Sequence, residues 1–222
     1  MPAVTNTELI EFNGWTLRVS PSHSASPRLL VLLHGWTGDE NSMWVFTRAL
    51  SPDYWMIAPR APHAGEPSGF SWRPRETFAE GKPSFKMFLP AAEALIHFID
   101  EYASSVKLDA QQFDLMGFSQ GAAMVNVMGM LYPHRVRKMG VLAGFVPMGS
   151  DELILKKPLT GKNIFVAHGT QDQMIPIELA RASMKLLEQA GAKIVYCEDE
   201  VGHKLSANCL RALENYLSAP ND

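Results

Sequence analysis

Gln112-Phe113-Asp114-Leu115-Met116-Gly117-Phe118-Ser119-Gln120-Gly121-Ala122-Ala123-Met124 is the stretch on which the reading of this chain turns. It opens with an apolar run containing Phe113, Leu115 and Met116, passes through Gly117-x-Ser119-x-Gly121, and continues into small and helix-forming residues from Ala122 to Leu131. That order predicts a strand, a sharp turn and a helix. Such a turn forces Ser119 into a strained backbone conformation and lifts its hydroxyl clear of the sheet, while the flanking glycines leave room for neighbouring backbone. Landing at a helix N-terminus also makes the N–H of Gln120 a candidate donor to a developing oxyanion. At average glycine and serine usage the pentapeptide arises by chance in roughly one chain in ten of this length. Its weight therefore comes from the strand-to-helix context and from what lies elsewhere in the chain.

Upstream, Leu29 to Leu33 is apolar without alternation, as expected of a parallel strand covered on both faces. Leu9 to Phe12 and Trp15 to Val19 flank Asn13-Gly14, which predicts an antiparallel hairpin before it. After the covered strand come His34-Gly35-Trp36-Thr37-Gly38-Asp39 and an expected helical stretch through Leu50. A loop leaving the carboxyl end of a strand is where open α/β sheets build sites. In a fold with a serine elbow this loop supplies the second oxyanion donor, expected here from the N–H of Trp36, with His34 bracing the loop. Tyr54 to Ala58 reads as a strand closed by Pro59. Arg60 to Pro83 is irregular and mixes prolines with Phe70, Trp72 and Phe78, which predicts a packed loop walling a substrate pocket. Phe85 to Val106 reads as one long helix whose stripe of Phe88, Leu89, Ala92, Leu95, Ile96 and Ile99 faces the core.

Downstream, Met139 to Ala143 predicts a strand followed by Gly144-Phe145-Val146-Pro147. Asn163 to Ala167 predicts another, followed by His168-Gly169-Thr170-Gln171-Asp172-Gln173-Met174-Ile175-Pro176. Pro176 suits a first helical position, and the helix it opens runs to Ala190 and stops at Gly191. Lys193 to Cys197 is the last expected strand, Glu198 to Gly202 leads to His203, and Leu205 to Leu217 closes the chain as an amphipathic helix. Strands alternating with helices imply a mainly parallel sheet flanked by helices, in one domain over 1–222.

A serine hydroxyl needs a base to take its proton, and that base needs a carboxylate to fix its tautomer and support its charge. Asp172 and His203 follow Ser119 in the order this fold uses, each on a loop at the carboxyl end of a strand. Asp151 and Asp199 are rivals for the acid, and His168 and His134 for the base. A metal held by His168 and Asp172 lacks any accompanying chelating spacing, so no metal is expected.

With 222 residues, 46% hydrophobic and 19% charged, the chain is long enough for a sizeable core, and its net charge of -3 argues against nucleic acid as a partner. Cys197 and Cys209 show neither metal nor redox spacing and read as small buried hydrophobes. Met1 to Glu8 lacks a basic region followed by an apolar core, and the longest apolar runs are too short to span a bilayer. A cytoplasmic protein without integral membrane association is expected. A homodimer is compatible with the sequence, which does not itself derive one.

Leu33-His34-Gly35-Trp36-Thr37-Gly38-Asp39, Gly117-Phe118-Ser119-Gln120-Gly121-Ala122, Leu142-Ala143-Gly144-Phe145-Val146-Pro147, His168 through Pro176 and Gly202-His203 together resemble the phospholipase/carboxylesterase family of α/β-hydrolases, which includes the acyl-protein thioesterases. The resemblance covers nearly the whole chain in order. It implies an α/β-hydrolase fold with no large cap domain, Ser119 as nucleophile, Asp172 as acid, His203 as base, oxyanion donors from Trp36 and Gln120, and no cofactor. The first loop departs from the family's usual His-Gly-Leu-Gly-Asp, so Trp36 brings a bulky side chain toward the acyl pocket. Trp36, Phe70, Trp72, Phe145 and Met174 are the expected pocket residues. The function expected is that of a serine carboxylesterase acting on small-molecule esters through an acyl-enzyme. An acyl-protein thioesterase or a lysophospholipase would use the same machinery. A hydrolase-fold binding protein that has abandoned catalysis tends to lose a triad member, and here all three candidates are present.

Overall fold

Eight strands pair in the order β1-β2-β4-β3-β7-β8-β9-β10 in the computed structural model, which describes residues 7–80 and 83–219. The reading of the extreme N-terminus and positions 81–82 of the long loop lie outside the described residues. β1 (Glu8–Phe12) and β2 (Trp15–Ser20) form the expected hairpin, with Asn13 and Gly14 both at positive φ, 46° and 83°. β2 runs antiparallel to β4 (Tyr54–Pro59). From β4 onward the pairings through β3 (Arg28–Leu33), β7 (Phe113–Phe118), β8 (Val136–Leu142), β9 (Asn163–Gly169) and β10 (Lys193–Asp199) are all parallel. β5 (His63–Ala64) and β6 (Phe70–Ser71) make a small separate ribbon inside the long loop.

The unbroken apolar run of β3 has a direct cause. Leu29, Val31 and Leu33 point into the core that holds α1 (Leu89–Ser105) and α2 (Gln120–Leu131), whereas Leu30 and Leu32 point into the core on the other face. Successive strand residues face opposite ways, so burial on both faces demands apolar residues at every position. α3 (Asp151–Ile154) is a single short turn. α4 (Ile177–Gln189) places Leu187 in the first core, and α5 (Ala207–Ser218) places Cys209, Leu213 and Leu217 in the second.

Three local expectations are corrected. The stretch after the first loop is no regular helix but a 3-10 turn over Ser42–Phe46. There Trp44 Nε1 donates to Glu40 O and Thr47 Oγ1 to Trp44 O, local side-chain bonds that compete with helix propagation. The long helix begins with a 3-10 turn, Phe85–Phe88, before α1, whose second residue, Pro90, has no N–H to give. Cys197 and Cys209 are not free hydrophobes but a disulfide joining β10 to α5. The loop and helix start between them bring the two sulfurs together, a proximity that twelve residues of spacing do not announce.

At the amino ends of the strands, away from the turn at Ser119, buried Asp114 accepts from Arg137 Nε and Nη2 at 2.8 and 3.0 Å and from the hydroxyl of Tyr54 at 2.7 Å. Beside it Lys138 Nζ donates to the carbonyls of Tyr216, Leu217 and Ala219 at the end of α5. No described helix is long and apolar enough to cross a membrane.

Candidate active site

Ser119 joins β7 to α2 with φ 56° and ψ -116°, a backbone conformation that costs a side-chain-bearing residue about 1–3 kcal/mol. The surroundings leave little alternative. A Cβ on Gly117 would stand 2.3 Å from the carbonyl oxygen of Gly121, and one on Gly121 would stand 2.0 Å from that of Leu33. Ser119 N donates to Leu142 O, which fixes the turn to the next strand.

The loop after β3 closes over this turn, since a Cβ on Gly35 would lie 3.3 Å from that of Ser119. His34 is buried and braces the loop. Its Nδ1–H donates to Gly35 O at 2.7 Å, and its Nε2 accepts from the N–H of Ala61 at 3.0 Å. A carbonyl only accepts and an amide N–H only donates, so the ring is the neutral Nδ1–H tautomer, and burial lowers its pKa accordingly. Gly35 O accepts also from Gly38 N. With that carbonyl held from one side, the planar trans peptide turns the N–H of Trp36 the other way. Among the described residues neither this N–H nor that of Gln120, at the start of α2, has a hydrogen-bond acceptor.

Asp172 follows β9. Its Oδ1 accepts from the N–H groups of Met174 and Ile175 at 2.9 and 3.0 Å, and its Oδ2 accepts from His203 Nδ1–H at 2.6 Å. Burial pushes the carboxyl up, but the bonds from Ile175, His203 and Met174 outweigh it, and Asp172 sits below the usual carboxylate range. His168 Nε2–H donates to Ile175 O at 2.8 Å and lies 3.4 Å from Asp172 Oδ2. That histidine thus supports the aspartate turn from beneath. The ring of His203 packs at a tilt against that of Phe118, the residue before Ser119 in the chain, with centroids 4.8 Å apart. Its loop is docked on the aspartate loop by Thr170 N to Asp199 O and Gln171 N to Val201 O.

The rivals go elsewhere. Asp151 is exposed at the start of α3. Asp199 Oδ2 accepts from Ser206 Oγ, which in turn caps α5 by accepting from Cys209 N. His134 is exposed, its carbonyl accepting from Gln112 Nε2. No group of three or more metal-ligating side chains occurs among the described residues.

A cavity of about 730 Å³ opens at Ser119 and Gln120, lined by Trp36, Phe145 and Met174 together with Arg73, Met148 and Leu179. Two expected pocket residues do not reach it. Trp72 is wholly buried, donating from Nε1 to His34 O at 2.8 Å and from its backbone N–H to Gln120 Oε1 at 2.8 Å. Phe70 bonds through its backbone to Thr37 N and Gly38 O, with its ring under Arg60. Both therefore brace the first loop instead of walling the cavity, and Phe78, edge-on to Trp36 at 5.6 Å, carries the loop's aromatic contact with the wall. Met148 and Leu179 escaped the sequence reading because exposed apolar residues on a loop and a helix carry no signal until the cavity between them is known.

The structure is similar to that of a carboxylesterase from Mesorhizobium loti, with a TM-score of 0.82 at 23% identity over 97% of this chain and 100% of that one, a likeness of fold. Carboxylesterase SOBER1 of Arabidopsis thaliana is 29% identical over 150 residues, 65% of this chain and 64% of that protein. Acyl-protein thioesterase 1 of Candida albicans is 25% identical over 198 residues, 80% of this chain and 84% of that protein. The matches to the carboxylesterase and to a probable SOBER1-like carboxylesterase, both of Arabidopsis thaliana, span just under two thirds of those relatives' lengths, 64% and 66%. A family model described as Phospholipase/Carboxylesterase matches residues 16–221, and the chain belongs to that family.

Proposed function

We propose that the chain is a cofactor-independent serine carboxylesterase. Ser119 Oγ attacks the ester carbonyl while His203 Nε2 takes its proton, and the N–H groups of Trp36 and Gln120 receive the oxyanion. The tetrahedral intermediate collapses with loss of the alcohol, to which His203 returns the proton. Water then attacks the acyl-enzyme with His203 again as base, releasing the carboxylic acid and restoring Ser119. Asp172 keeps the imidazole in the Nδ1–H tautomer and supports its positive charge.

The observation that supports this reading most is the 2.6 Å bond from His203 Nδ1 to Asp172 Oδ2, which leaves Nε2 for Ser119 on a ring packed against Phe118. Ser119→Ala should lower kcat on p-nitrophenyl esters by about a millionfold, by analogy with a serine protease triad, and abolish fluorophosphonate labelling. Retention of most activity by that variant would overturn the assignment.

The apolar cavity mouth favours one neighbouring reading, an acyl-protein thioesterase, because Trp36, Met148, Met174 and Leu179 are all more than 40% exposed around it. Rates on matched esters and thioesters of short and long acyl chains separate the two. The pairing of Cys197 with Cys209 favours an oxidising compartment over the expected cytoplasmic one.

A further inference from the structure

From Ala122 to Leu131, α2 is apolar save for one residue, Asn126, which is 1% exposed. Its Nδ2 donates to Phe145 O at 3.0 Å, while its Oδ1 is buried with no partner among the described residues. A half-satisfied amide in a helix otherwise built of aliphatic side chains is a cost that a leucine would not carry. The bond it makes is therefore what sets it apart from its neighbours.

That bond has a counterpart. Ser183 of α4, also buried, accepts from Val146 N at 2.9 Å. Phe145 and Val146 line the cavity beside Ser119, so two buried polar side chains from two different helices grip consecutive residues of one wall. The geometry is close. Ala143 has φ 48°, and a Cβ on Gly144 would stand 2.3 Å from that of Ala122, one helical turn before Asn126 on the same face of α2.

We propose that Asn126 is a specificity-determining positioning residue that acts with Ser183 to set the depth of the Phe145–Val146 wall, and thereby the length of acyl group the cavity accepts. The proposal rests on the esterase reading. Neither side chain touches substrate; both act through the backbone of the wall. The same helix thus carries Ser119 at its N-terminus and the wall's anchor two turns later, which couples the nucleophile to the surface against which the acyl chain lies.

The test is a p-nitrophenyl ester series from acetate to decanoate on wild type, Asn126→Leu and Ser183→Ala, with active sites counted by fluorophosphonate titration. In both variants titration should stay stoichiometric and acetate turnover within about twofold. The chain-length profile should flatten, the preferred ester losing at least fivefold of its kcat/KM advantage, chiefly through KM. Should Asn126→Leu fail to fold, Ser183→Ala carries the test, since it removes only one hydroxyl. Wild type that does not label would sink the esterase reading; wild type that labels while both variants keep its profile, scaled or unchanged, would overturn this inference alone. A wild-type profile that is already flat would overturn it as well.

Discussion

Ser119 and His203 each follow the carboxyl end of a strand of the same sheet, but the segments that carry them are held by different forces. Ser119 lies between an interior strand and a helix buried along nearly its whole length, and the turn is kept in shape by backbone touching backbone at Gly117 and Gly121. His203 lies between the edge strand β10 and α5, in a loop fastened by backbone hydrogen bonds, by Ser206 Oγ on Asp199, and by the Cys197–Cys209 disulfide. Ser119 is positioned mainly by exclusion and His203 mainly by ties. Steric change should ruin the first and leave the second, whereas loss of the disulfide or of single polar groups should do the reverse.

The sharpest test of the tied arm is Asp172→Asn, which keeps the shape but removes the acceptor that selects the His203 tautomer. It should lower kcat by about 10⁴-fold with the fold intact, as judged by circular dichroism and esterase assay. Next comes the packed arm. Gly121→Ala drives a Cβ into the backbone of Leu33 and should destabilise the chain by about 3 kcal/mol or more in urea unfolding, because no flexible side chain stands there to yield. Little effect would mean that the turn is held by something other than crowding. Reducing the disulfide, or Cys197→Ser with Cys209→Ser, should cost about 2–4 kcal/mol. At temperatures where the fold survives, activity should fall while the Ser119 turn remains intact. Equal loss of both in step would erase the distinction drawn above.

The smallest expected effect concerns acid. Asp172 titrates below its ordinary value in the fold, so its ionised form stabilises the protein above the unfolded-state pKa. That contribution is lost as pH falls through the lower, folded value. Wild type should therefore lose stability more steeply than Asp172→Asn below about pH 4, measured as denaturation midpoints against pH.

Much of this was legible in the sequence because the relevant physics is local. The apolar run of β3 and the Gly-x-Ser-x-Gly bend each state their structure within a few residues, and Asp172 and His203 stand directly after strands whose ends share one edge. What escaped the sequence depends on how distant pieces dock. The disulfide exists because α5 lays Cys209 against β10. Trp72 left the expected pocket because its indole N–H found the carbonyl of His34. The stretch after the first loop lost its helix to hydrogen bonds made by Trp44 and Thr47. Nothing in the sequence singles out Asn126 within its helix, and only the placement of Phe145 O shows what its amide holds.

Lys138 gathers the last carbonyls of α5 at the amino end of β8, whereas the cavity opens at the carboxyl ends of the strands. Exposed Ser218 therefore lies on the opposite side of the molecule from the opening. A bead or sensor chip coupled at that position would hold the protein with its mouth facing the bulk solution.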